Sequence, residues 1–193
     1  MTRFTDFFVR KVALVLAALV VALSFASSVR AAGAEYTMQE IVDAGHGFFG
    51  STTGGIAKVI ERAFKTYGLP NGYILGQEGA GAFIAGATYG EGDLYTKNAG
   101  QHNVFWQGPS IGLDYGGQGS RVMMLVYNLP DVRNLYSRFG GVSGQAYVVA
   151  GAGMTVLKSG NVVIVPIRTG VGARLGVNVG YLKITRKATW NPF

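Results

Sequence analysis

The sequence has no cysteine. That excludes disulfide staples, a thiol nucleophile, a cysteine metal site and lipid attachment through cysteine. Histidine is nearly as scarce, with only His46 and His102. Neither has a Gly-x-Ser-x-Gly elbow or a His-Glu-x-x-His pair beside it, so the common hydrolase and zinc-protease constellations are missing. Charged residues make up 14% of the chain, few for a soluble α/β enzyme. The longest apolar run, residues 12–25, is interrupted only by Ser24 and falls short of the roughly 20 residues that span a bilayer as a helix. No Asp or Glu follows Asp131.

What the chain does have is glycine, 30 residues in 193, against a background 49% hydrophobic and 12% aromatic. That much apolar and aromatic material opposes disorder. Glycine scattered among it without a collagen period fits closely packed, sharply bent strands.

Arg3, Arg10 and Lys11 precede the apolar run, and Ala32-Gly33-Ala34 follows it. This is the layout of a secretory signal peptide, residues 1–34, with Val29-Arg30-Ala31 as an alternative cleavage site. An uncleaved anchor is the competing reading. On the signal-peptide reading the mature chain is therefore expected to be exported. Removing residues 1–34 takes away four basic residues and one acidic one, leaving 13 and 9. The remainder is polarised: eight cations and no carboxylate lie after Asp131. Such asymmetry points to an anionic partner, a lipid headgroup or an envelope polymer rather than nucleic acid. An ordinary solvated basic surface is the alternative.

Thr37 and Glu40 form a capping box at the head of a short helix expected to fray at Gly45 and Gly47. Ile56, Val59, Ile60, Ala63, Phe64 and Tyr67 recur at helical spacing before Gly68 and Pro70, which predicts a helix from about 55 to 67. Residues 35–70 are thus an N-terminal helical segment. From residue 71 the period becomes two. Strands are expected at 73–77, 80–89, 94–97, across 104–114 and 120–127, and at 146–157, 162–169, 173–179 and 181–185, with turns at 90–93 and 158–161. The pair around 104–127 reads as two strands meeting in a tight reversal at the glycine-rich 116–119. Residues 131–139 carry helical spacing at Val132, Leu135, Tyr136 and Phe139. The predicted fold is mainly β: a small closed antiparallel β-barrel of about 8–10 strands over 71–193, with N-terminal helices packed on or plugging it and one short inserted helix.

Gly-Phe-Phe-Gly at 47–50, Tyr-Ile-Leu-Gly-Gln-Glu-Gly-Ala-Gly-Ala-Phe at 73–83, Trp-Gln-Gly-Pro-Ser-Ile-Gly at 106–112, Val-Tyr-Asn-Leu at 126–129, Pro-Ile-Arg-Thr-Gly-Val-Gly at 166–172 and the closing Thr-Trp-Asn-Pro-Phe together resemble the EipA family of periplasmic envelope-integrity proteins of Gram-negative bacteria. The resemblance covers essentially the whole mature chain. It implies a small soluble β-barrel that supports the cell envelope, without an established enzymatic activity and without catalytic residues to carry over. The glycine-rich strands are more distantly similar to SYLF-type lipid-binding domains.

The candidate ligand-binding cations are Arg168, Arg174, Lys183, Arg186 and Lys187, for anionic groups of an envelope lipid or polysaccharide. Trp106, Tyr115 and Tyr127 are candidates for lining an apolar site, with core packing as the alternative for each. Two carboxylates inside apolar strand surroundings, Glu78 and Asp114, are the pair a glycoside hydrolase would use, with solvent exposure or pairing to Arg121 or Arg168 as the structural alternative. A scaffold for envelope-assembly proteins is a third reading. An integral outer-membrane barrel fits poorly, because the positions alternating back from Phe193 are polar. No metal or cofactor is expected.

Overall fold

A computed structural model describes residues 34–50, 55–80, 87–109, 120–143, 145–169 and 180–191. Residues 1–33 of the expected signal peptide, the expected strand at 173–179, and Asp114, Tyr115 and Arg174 lie outside the described residues.

Two helices open the structure. Helix α1 (Met38–Phe49) begins with the expected capping box: the Glu40 amide donates to the Thr37 hydroxyl, and the Thr37 amide donates to the Glu40 carboxylate at 2.7 Å. It does not fray at its glycines. Gly45 is buried where the helix meets Ile56 and Ile60 of the next, and a side chain there would crowd both. Helix α2 (Ile56–Tyr67) buries Ile56, Val59, Ile60, Ala63 and Phe64, the stripe read from the spacing, and ends at Gly68 with φ 79°.

Ten strands follow: β1 (Gly72–Ala80), β2 (Ala87–Thr96), β3 (Gly100–Pro109), β4 (Ser120–Tyr127), β5 (Arg138–Gly141), β6 (Tyr147–Val149), β7 (Ala152–Met154), β8 (Leu157–Ser159), β9 (Val162–Thr169) and β10 (Tyr181–Thr185). Eight of them close a ring in the order β4-β1-β2-β3-β10-β5-β8-β9, with β9 pairing back to β4, and β7 and β6 extend from it. Every pairing is antiparallel. This is a closed barrel with two outer strands and two helices.

Strand alternation sorts side chains to two cores. The interior is filled by residues from all eight ring strands, among them Ile74, Leu94, Trp106, Met124, Phe139, Leu157, Ile164 and Ile184. The helices pack on the outside, against Met123, Leu125 and Tyr127 of β4 and Val163, Val165 and Ile167 of β9. They do not plug the barrel. This explains why β4 and β9 read as unbroken apolar runs: one face looks into the barrel and the other lies under the helices.

Four sequence expectations are corrected. First, residues 90–93 are not a turn but the middle of β2. Gly90 is there for space, since a Cβ on it would sit 2.1 Å from Trp106 Cε2, so the indole of β3 lies across it. Second, β3 and β4 do not form a hairpin: β3 pairs with β2 and β10, and β4 with β1 and β9. Third, residues 131–139 are not a helix. Asp131 caps a single 3-10 turn (Val132–Leu135) by accepting from the Arg133 amide, and the chain then enters β5 so that Phe139 reaches the interior beside Leu135. Fourth, 146–157 is not one strand. Ala150 and Gly151, both at positive φ (47° and 78°), reverse the chain between β6 and β7. β7 and β8 keep one register along β9, separated where Pro166, which has no N–H to donate, faces Thr155.

Candidate functional site

The inner wall places two of the candidates together. Glu78 on β1, Trp106 on β3 and Arg168 on β9 all face inward. Arg168 Nε donates to Glu78 Oε1 at 2.5 Å and its NH2 donates to Oε2 at 3.0 Å, a bidentate pair whose side chains are 4% and 9% exposed. Trp106 Nε1 adds a third donor to Glu78 Oε2 at 3.2 Å. A carboxylate this far from water needs such partners, because an unpaired buried charge is costly. Arg168 therefore neutralises Glu78 and does not reach outward to an anion. Trp106, fully buried, lies across Gly90 and Gly76 and, with Glu78, forms part of the lining of a hollow that opens between Tyr89 and Phe105. Both oxygens of Glu78 are occupied, and its suggested partner Asp114 lies outside the described residues.

Tyr127 is also part of the packing. It sits on the outer face of β4 beneath α2, 5.6 Å from the Tyr67 ring. Its hydroxyl has no hydrogen-bond partner among the described residues, and burial pushes the phenol pKa well up.

The outer wall differs by sector. On β10, β5 and β8 the outward positions carry cations: Lys183 stands directly opposite Arg138 in the β10–β5 register, and Lys158 is opposite Gly140, two residues on. Lys183 Nζ donates to the Asn191 carbonyl at 3.2 Å. Arg186, just past β10, lies over the Tyr136 ring at 5.0 Å, and Lys187 beside it is exposed. No Asp or Glu occurs in β3, β10, β5, β8 or β9. Three of the sequence candidates, Lys183, Arg186 and Lys187, thus share one sector. Sequence reasoning missed Arg138 and Lys158 as its companions, since only the strand pairing aligns them.

On β1, β2 and β3 the outward positions carry amides, carboxylates and rings. Two joined hollows lie there, about 320 Å³ and 430 Å³, sharing Gln77, Glu91 and Phe105 as walls. The first reaches Ala188 and Thr189 of the C-terminal tail, and the second reaches Phe48 of α1. The tail is tied down by Tyr89, whose hydroxyl donates to the Trp190 carbonyl at 2.9 Å. Among the described residues no group of three or more His, Asp or Glu side chains is arranged to hold a metal. His46 lies in the last turn of α1, and His102 lies within β3 with Nε2 2.9 Å from the Ala99 carbonyl.

The sequence profile of a family described as envelope integrity protein A, EipA, matches residues 34–193. The chain belongs to the EipA family. A crystal structure of a β-barrel-like, uncharacterized protein from Brucella abortus is 68% identical, covers 82% of this chain and 99% of its own, and superposes with a TM-score of 0.79. No curated protein matches. The EipA family name ties the fold to envelope integrity, and the barrel expected from the period-two strands is the fold of that Brucella neighbour. Among the described residues no helix is long and apolar enough to cross a membrane.

Proposed function

We propose that this EipA-family protein supports the periplasmic envelope without catalysis, by binding an anionic envelope component through the basic sector of its barrel wall. The observation that carries the reading is the alignment of Lys183, Arg138 and Lys158 across three adjacent strands that contain no carboxylate. Arg186 and Lys187 extend that sector past the end of β10. Cations clustered on strands that carry no carboxylate side chain favour association with phosphate-bearing headgroups, at about 1 kcal/mol for each Lys or Arg near an anionic surface. The outward charges and the apolar interior are the reverse of a lipid-embedded barrel, whose outer face is apolar and whose lumen is polar. The reading as a carbohydrate hydrolase is weakened by Glu78, which is engaged by Arg168 and Trp106 and so is poorly placed to exchange a proton with a substrate.

The test is flotation of the protein with vesicles containing anionic phospholipid, against vesicles of zwitterionic lipid alone. Anionic vesicles should bind it, less so as salt rises. Replacing Arg138, Lys158 and Lys183 together by Gln should weaken binding by about two orders of magnitude. Equal binding to both vesicle types, or a triple variant that binds like the wild type, would overturn the reading.

A further inference from the structure

We propose that the hollow outer face of β1–β3 is a second binding site, for a neutral glycan chain. Gly90, Gly92 and Leu94 turn inward on β2, so Tyr89, Glu91 and Asp93 turn outward. Gln77 of β1 and Asn103, Phe105 and Gln107 of β3 line the hollows beside them. The result is a trough of mixed character, more apolar toward the C-terminal tail, where Phe105, Trp106 and Tyr89 line it, and more polar toward Phe48, where Gln77, Glu91, Asp93 and Asn103 do. From Tyr89 to Asp93 along β2 is roughly 13 Å at about 3.3 Å per residue, longer than a single sugar ring.

The chemistry of the walls selects the ligand. A pyranose has hydroxyls that both donate and accept, and one face of C–H groups. Planar amides and carboxylates match paired hydroxyls, and rings such as Phe105 and Tyr89 match the C–H face. Glu91 and Asp93 disfavour an anionic ligand in this sector, the opposite of the β10–β5–β8 wall. An added peptide strand has no place to pair, because β1, β2 and β3 each have a neighbour on both sides. An acyl chain would cover Gln77 and Glu91 without offering either a hydrogen bond. The site is also partly fixed in advance: Asn103 Nδ2 donates to Asp93 Oδ1 at 3.0 Å, and Tyr89 holds the tail through the Trp190 carbonyl. Fixed donors and acceptors lower the ordering cost of binding. Trp190, 78% exposed and edge-on to Tyr89 with ring centres 5.6 Å apart, stands at the rim as a further ring for a longer chain.

The test is an array of short neutral, phosphorylated and uronate-bearing oligosaccharides probed with the whole protein, followed by calorimetric titration of the strongest neutral binder. Neutral oligosaccharides should be retained. Glu91→Gln, at an exposed position, and Phe105→Ala should each weaken the titrated affinity about tenfold or more. Lys58→Gln, at an exposed position of α2, should leave it unchanged. Retention of no neutral glycan, retention of charged glycans alone, or titrations indifferent to both trough variants would overturn the proposal. None of these outcomes depends on vesicle binding, so this site and the basic sector stand or fall separately.

Discussion

The two sectors of the barrel wall share one interior and differ in everything outside it. β1, β2 and β3 run 9, 10 and 10 residues, long enough to carry a trough of amides, carboxylates and rings. β10, β5 and β8 run 5, 4 and 3 residues and carry a short row of cations. Inside, Ile74 and Leu94 of the long strands meet Phe139, Leu157 and Leu182 of the short ones in a single apolar filling. Strand alternation makes this independence possible: inward residues obey packing, and outward residues are left to recognition.

The largest expected effect breaks the interior that both sectors need. Arg168→Ala leaves Glu78 buried without its counter-ion and should cost about 3–5 kcal/mol in denaturant unfolding. Glu78→Gln with Arg168→Met, which removes both charges, should recover much of that loss. A double variant as unstable as the single one would show that the pair is not the reason. Next, Gly90→Ala disturbs the long-strand sector alone. The new Cβ meets the Trp106 indole, so a loss of about 1–3 kcal/mol is expected from overpacking, seen as a lower thermal midpoint and altered tryptophan fluorescence. Unchanged stability would mean the indole has another place to go.

Smaller effects sharpen the comparison. Neutralising Arg138, Lys158 and Lys183 should leave stability within about 0.5 kcal/mol while vesicle binding falls, separating recognition from folding. Ala150→Gly relieves a non-glycine residue at φ 47° in the β6–β7 reversal and should stabilise by about 0.5–1 kcal/mol. The smallest effect concerns Glu40, which anchors the head of α1. Its hydrogen bond from Lys97, with help from Thr37, lowers its pKa from 4.5 to about 2. A carboxylate with a depressed folded-state pKa stabilises fully above its unfolded value and loses that contribution as pH falls through the folded one. Amide-exchange protection in the first turn of α1, taken relative to the intrinsic exchange rate at each pH, should therefore fall as pH drops from about 4.5 toward 2. Glu40→Gln should remove that dependence.

Local signals were legible. The capping box, the α2 stripe, the hairpin turn before β9, and the limits of β9 and β10 all follow from neighbours a few residues apart. What failed were readings where a distant residue decides. The glycines at 90 and 92 look like a turn until Trp106 is seen to need the space. Val132, Leu135 and Phe139 look helical because a 3-10 turn followed by a strand can send the same residues inward. Pro166 breaks a strand eleven residues away in sequence by facing Thr155.

The candidate sites divide in the same way. The sequence by itself determined that every charged side chain after Asp131 is basic, that there is no thiol chemistry, and that alternating strands would form a barrel, since composition and period are properties of the chain alone. Only the tertiary structure decided which charges meet water. Arg168 and Lys183 are equally basic residues in neighbouring strands of the sequence, yet one faces inward onto Glu78 and the other outward beside Arg138. That assignment depends on pairing register and ring closure, which are set by contacts between residues far apart in the chain.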